Sequence, residues 1–187
     1  MVLPILIHSP GPAAMSAIEI SPLRSAPDIL GMLSEMLIET VAGGGSVSFM
    51  HPLSLDAAQA FWRGSLGAAD RGERIVLGAF DGDNLIGTVT LLLDLPPNQP
   101  HRAEIVKMMT RSTHRGRGIA TALMRRAEDL AVQRNRTLLV LDTATDGGAA
   151  GLYEKLGFTL AGEIPGYAFK PHGGLSGALF YWKRIGN

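Results

Sequence analysis

Apolar and polar residues alternate over residues 16–21 ("SAIEIS"), the period of a half-buried strand. From Ser25 the apolar spacing lengthens to that of a helix, which runs until three successive glycines, Gly43 to Gly45, stop it. A second helix is predicted from Ser54, with Ser54 or Asp56 able to cap it. Ala57, Phe61, Trp62 and Leu66 form its apolar side, and Gly72 lies beyond its end. Two strands follow, over residues 74–81 and 84–95, joined at Asp81 to Asn84 by an Asp-Gly step that suits a tight hairpin. The loop "PPNQPH" leads to a third strand over residues 102–110, completing an antiparallel meander.

Residues 120–134 carry the strongest helical pattern of the chain. Ala120, Leu123, Ala127, Leu130 and Ala131 share one side, with Arg125, Arg126, Glu128 and Asp129 largely off it, so this helix must cover one face of the sheet. A continuous apolar run over residues 136–144 reads as a buried strand, residues 147–157 as a short helix ended by Gly157, and residues 158–164 as extended chain. Strand, helix, strand, helix, strand makes a crossover unit. Residues 165–172 ("PGYAFKPH") read as a loop, and a β-rich tail follows from Gly173, able to pair across a homodimer.

A chain of 187 residues suits one domain, here residues 15–187. Residues 1–14 read either as a disordered extension or as a product of start-site choice, since Met15 opens a second plausible start. Lysine plus arginine equals aspartate plus glutamate at 17 each, so no overall field points to nucleic acid or an anionic membrane. There is no cysteine, which removes disulfides, thiolate metal sites and a thiol nucleophile and fits a reducing compartment. The opening "MVLPILIH" is too short to span a bilayer and lacks a basic leading segment, so the expected location is cytoplasmic. The histidines show no metal-ligand spacing, and no metal is expected.

The segment "THRGRGIATALM" joins the third strand of the meander to the long helix through two glycines and two arginines. A strand running through such a turn into a helix gathers free N–H groups and the positive end of the helix dipole at one point, an anion site. Gly116 and Gly118 admit close approach of phosphate oxygens, and Arg115 and Arg117 add charged donors. Taken alone, the turn reads equally as a plain tight turn with solvated arginines. A P-loop would need a lysine that is absent, and a dinucleotide fingerprint would need glycine where Thr121 stands.

The spacing that fits is Arg or Gln, two residues, Gly, one residue, Gly or Ala, filled by Arg115, Gly118 and Ala120. Together with "GLYEKLGF" from Gly151, it resembles the GCN5-related N-acetyltransferase (GNAT) family. Within that family, "VKMMTRSTHRGRGIATALM", "LLVLDT" and "GEIPGYAFKPHGGL" are similar to the tabtoxin-resistance type. The resemblance implies a mixed α+β acyl-coenzyme A N-acyltransferase fold: a mostly antiparallel sheet splayed between two central strands, with helices on both faces. It implies acetyl-coenzyme A as co-substrate and a small-molecule primary amine as acceptor, with a protein amine or a non-catalytic acyl-coenzyme A sensor as the alternatives. Arg115, Gly116, Arg117, Gly118, Ile119, Ala120 and Thr121 would then hold the pyrophosphate. Met108, Met109 and Thr110 would pair with the pantetheine arm, the Met109 N–H facing the thioester carbonyl.

An ammonium has no lone pair, so the attacking amine must lose a proton to a carboxylate or a water chain. Glu104 lies four residues before Met108, on the same face by strand period and about 13 Å along. Asp142 closes the apolar strand "LLVLD" where the resemblance places the mouth between the splayed strands. Either is a candidate base. Tyr153 falls where the family holds its general acid, to protonate the departing thiolate. Two departures from the family pattern stand out: Ser112 replaces a frequent proline, and Asp146 replaces an asparagine that often holds the pantetheine arm.

Overall fold

The computed structural model describes residues 18–186, and the expectation for residues 1–14 lies outside them. The chain orders as β1 (Glu19–Pro22), α1 (Pro27–Ala42), α2 (Leu55–Asp70), β2 (Arg74–Asp81), β3 (Asn84–Leu92) and β4 (Arg102–Thr110). It continues through α3 (Ile119–Gln133), β5 (Leu138–Ala144), α4 (Ala150–Lys155), β6 (Thr159–Phe169) and β7 (Leu175–Arg184). Pro27 opens α1, where its missing N–H costs nothing. The Ser54 hydroxyl accepts from the Ala57 N–H at 3.2 Å to cap α2. Ala58, rather than Ala57, is the small residue that α2 buries beside Trp62 and Leu66.

The strands form one sheet in the order β1-β2-β3-β4-β5-β7-β6, antiparallel throughout except for the β4–β5 pair. The helix α3 covers one face, packing Ile119, Leu123, Ala127 and Ala131 against Leu77, Val89, Leu91 and Leu139. The pair α1 and α2 covers the opposite face, where Leu33, Met36, Leu37, Trp62 and Leu66 meet Val76 and Leu85. Each such leucine is worth about 2–5 kcal/mol against alanine.

Three features depart from the sequence-based expectation. First, β6 runs through residues 165–169, which read as loop. Pro165 and Gly166 sit in a bulge, since Ile164 pairs with Ala178 and Ala168 with Ser176, and β6 is the sheet's edge strand, where a proline removes no ladder bond. Second, β7 inserts between β5 and β6, so the tail is bonded on both sides and has no free edge to pair across a dimer; the edge strand at that end of the sheet is β6. Third, β4 carries a bulge. Thr88 pairs with Met109 but Thr90 with Val106, so one extra residue of β4 is accommodated there, with Lys107 in the left-handed region (φ 54°).

Candidate active site

β4 and β5 pair only at Arg102↔Leu138, Ala103↔Leu139 and Glu104↔Val140. Beyond Glu104 the two strands part, and a cleft of about 750 Å³ opens between residues 105–110 of β4 and 142–144 of β5. β4 therefore presents an edge with no strand partner to this space. The Arg111 N–H donates to the Ile86 carbonyl at 2.9 Å, across to β3. Because N–H direction repeats every second residue, the Met109 N–H also points toward β3. The Thr110 N–H is thereby turned to the cleft and the Met109 N–H away from it, contrary to the expectation for Met109; Met108 lies within the bulge, where strict alternation does not hold.

The two methionines point to opposite faces, as neighbours in a strand do. Met109 is buried among the α1 and α2 side chains, whereas Met108 packs toward the α3 side. The bulge overturns the expectation that Glu104 and Met108 share a face, since the extra residue shifts the alternation by one. Glu104 pairs with Arg102 at 3.2 Å and does not line the cleft.

The turn after β4 begins with a short 3-10 helix, Ser112–His114, and reaches α3 through two left-handed glycines, Gly116 (φ 76°) and Gly118 (φ 78°). A Cβ built on either would meet nothing within 4 Å, so backbone conformation alone demands glycine and open space lies in front of the turn. Gly118 is the N-cap of α3 and supplies no side-chain cap, which leaves the first-turn N–H groups of Ile119, Ala120 and Thr121 without a capping side chain. Arg115, Gly116, Gly118, Ile119, Ala120 and Thr121 all line the cleft. Arg117 does not; its guanidinium faces Asp81 at 3.9 Å. At the base of the turn, Gly87 of β3 lets α3 seat closely, since a Cβ there would come within 2.9 Å of Ile119.

Ser112 has a compensation for the missing proline. Its N–H and hydroxyl both donate to Glu39 Oε1, at 2.9 and 2.8 Å, while Arg111 Nη1 donates to Glu39 Oε2 at 2.8 Å. Partial burial works against the Glu39 charge, but Arg111 and Ser112 outweigh it and hold the carboxyl down to about 2. One carboxylate from α1 thus pins the start of the turn. Asp146 pairs with Lys170 and accepts from the Ser176 hydroxyl at 2.9 Å, outside the cleft lining.

On the other side of the cleft stand Asp142, two residues before the end of β5, and Tyr153, on α4. Enclosure by protein raises the Asp142 pKa, and the nearby charge of Glu104 adds to the rise against an opposing pull from Lys107. Water still reaches Asp142 through the cleft, so filling the cleft would strengthen that rise. Tyr153 is only 5% exposed, and burial followed by the Asp142 charge pushes its phenol up to about 12. It therefore stays protonated at any working pH. Its hydroxyl makes no hydrogen bond to the described residues, and its ring packs on Phe158 and Tyr181 with centroids 6.0 and 5.9 Å away.

Sequence reasoning missed Lys107. Its ammonium donates to Ser48 Oγ at 3.0 Å, lies over the rings of Phe49 and Phe61, and lines the cleft near Asp142. Nothing in the local sequence marks it, because its partners come from the α1–α2 connection and from α2, 59 residues away for Ser48.

Among known proteins, the family model described as "Acetyltransferase (GNAT) family" matches residues 44–158. N-acetyltransferase 8B of Rattus norvegicus is 35% identical over 97 residues, which is 51% of this chain and 43% of that protein. Streptothricin acetyltransferase of Escherichia coli is 32% identical over 108 residues, 56% of this chain and 60% of that protein. The chain thus spans less than two thirds of the length of these curated relatives. Among solved structures, an N-acetyltransferase from Staphylococcus aureus superposes with a TM-score of 0.77 at 18% identity, covering 91% of this chain and all of that one. The protein yncA from Salmonella typhimurium, solved with its cofactor acetyl-CoA, gives 0.72 at 16% identity over 92% of this chain and 96% of its own. These likenesses show the fold, a splayed sheet with helices on both faces.

Proposed function

The chain belongs to the acetyltransferase (GNAT) family, and we propose that it moves an acetyl group from acetyl-coenzyme A directly to the primary amine of a small molecule. The observation that carries this reading is that one cleft joins a bare, amide-rich turn at residues 115–121 to Asp142 and Tyr153. The likeness to streptothricin acetyltransferase supports a small-molecule acceptor.

The open space before Gly116 and Gly118, together with the uncapped amides of α3 and the Arg115 side chain, fits a pyrophosphate. Acetyl-coenzyme A would supply the activated acetyl group as a thioester. The unpaired edge of β4 is placed to bond the pantetheine arm, and an N–H of that edge is the donor for the carbonyl oxygen as negative charge grows on it, worth about 3 kcal/mol for a well-aimed group. Asp142, rather than Glu104, removes the amine proton, since it alone of the two faces the cleft. Tyr153 directs its hydroxyl hydrogen to the sulfur as the carbon–sulfur bond breaks.

Purified protein with acetyl-coenzyme A and a panel of small amines, read by free-thiol release, tests the reading. Amine-dependent release is expected. Tight binding of acetyl-coenzyme A without release by any amine would point to a sensor, and release only with peptides would move the acceptor to proteins.

A further inference from the structure

Resting on that reading of the cleft, we propose that the acceptor is a zwitterion, a primary amine that also bears a carboxylate, and that Lys107 and Ser48 hold the carboxylate. Among the described residues three that are not glycine have positive φ: Ser48 at 71°, Lys107 at 54° and Asn135 at 57°. Asn135 follows the end of α3, where a left-handed residue is ordinary. Lys107 sits in the β4 bulge, where a left-handed residue is usually glycine, and Ser48 lies in the α1–α2 connection. Strained backbone persists where the surroundings enforce it and concentrates at ligand clamps. These two residues touch each other through Nζ and Oγ, and both line the same cleft.

The ammonium is also presented rather than consumed. Its ring neighbours Phe49 and Phe61, with centroids 5.8 and 5.5 Å from Nζ, hold it in place without neutralising its charge. A lysine ammonium carries three N–H donors, and among the described residues Ser48 takes one while no carboxylate forms an ion pair with it. The Ser48 hydroxyl accepts from Lys107 and keeps its own hydrogen to donate. The ammonium and the adjacent hydroxyl, both lining the cleft, are donors that a carboxylate can accept from together.

Charge balance selects the same acceptor. Burial lowers the Lys107 pKa, and among the described residues Asp142 is the carboxylate whose charge opposes that and favours the ammonium. A simple ammonium entering the cleft would be drawn by Asp142 and repelled by Lys107. A zwitterion satisfies both, its carboxylate on Lys107 and Ser48 and its amine toward Asp142. Once seated, the lysine charge also eases loss of the proton from the amine.

The test uses full-length protein and a panel of free amino acids, each compared with its own carboxamide, which keeps the amine and removes the negative charge. Thiol release is measured at saturating acetyl-coenzyme A. Binding of each pair to the coenzyme A-loaded protein is measured separately by saturation-transfer NMR. Free amino acids are expected to exceed their carboxamides by about 10- to 100-fold in kcat/KM and in affinity, the range for charged hydrogen bonds. Lys107→Met should reduce that preference to about unity with the KM for acetyl-coenzyme A unchanged, and Lys107→Arg should restore part of it. Ser48→Ala should lower it about 3- to 10-fold, and it decides the matter if Lys107→Met does not fold. Equal use of both forms by the unaltered protein, no binding of any panel member, or an undiminished preference in the variants would overturn the proposal. Carboxylate-selective binding without thiol release would instead refute acetyl transfer and leave the anchor standing.

Discussion

Tyr153→Phe removes one oxygen from the cleft and little else. The ring is 5% exposed and wedged against Phe158 and Tyr181, and phenylalanine keeps both contacts. The hydroxyl makes no hydrogen bond to the described residues, so its loss leaves no buried partner stranded, and stability should stay within about 0.5 kcal/mol. The kinetic consequence follows from acidity. A phenol pushed up to about 12 lies roughly 3.5 units above a thiol near 8.5, so complete proton transfer to the departing thiolate is uphill by about 5 kcal/mol. On the proposed reading, Tyr153 would therefore act as a hydrogen-bond donor to sulfur while charge develops. A single such donor is worth about 3 kcal/mol, or roughly 100-fold in kcat. Steady-state thiol release at saturating amine, across a range of acetyl-coenzyme A, should show kcat falling by that factor with KM for acetyl-coenzyme A unchanged. Thermal melts should coincide. A kcat within about 3-fold of the parent protein, or a KM that rises together with a lowered Tm, would refute the argument and make Tyr153 a packing residue.

Gly118→Val forces a β-branched residue to φ 78° at the N-cap of α3, where space is open but conformation is not. Acetyl-coenzyme A affinity by calorimetry should fall at least about 10-fold while kcat at saturation falls less. Asp142→Asn should cut kcat/KM by about 100-fold or more. In the parent protein the acid limb of the pH–rate profile should lie above the ordinary aspartate range, because the Asp142 pKa is raised, and the variant should lose that limb. Glu39→Gln tests the pinned turn. The folded carboxyl titrates near 2 against 4.5 when free, so its stabilisation is complete above 4.5 and lost as pH falls toward 2. The full shift corresponds to about 3.4 kcal/mol, and with the side chain 35% exposed solvent screening lowers this to about 1–2 kcal/mol. Denaturant melts of parent and variant should differ by that amount at pH 7 and converge at pH 2.

The open, glycine-rich turn proposed to bind the anion was legible because its chemistry is main-chain chemistry. Left-handed backbone at Gly116 and Gly118 needs glycine, and glycine is visible in a sequence. Asp142 and Tyr153 were legible for a similar reason, each standing near the end or on the face of an element that periodicity could delimit. Glu104 failed because strand period assumes an unbroken ladder, and the β4 bulge is centred on a lysine, a residue with no preference for positive φ. The same bulge hid Lys107. Arg117 failed because consecutive side chains in a turn diverge, one arginine reaching the cleft and the next reaching Asp81. The Pro165-Gly166 pair read as loop because local signals say nothing of which strand lies at a sheet edge.

The bulge in β4 also makes the length of the segment between Val106 and Met109 a constraint in its own right. Deleting a single residue there would remove the extra residue, let the ladder run unbroken from Thr90↔Val106 to Thr88↔Met109, and leave Met109 beneath α1 and α2. What it would abolish is the left-handed step at Lys107 that lies against Ser48 in the cleft. Shortening this stretch by one should therefore spare the core while dismantling that corner of the cleft, whereas lengthening it by one would disturb the face that every later residue of the strand presents.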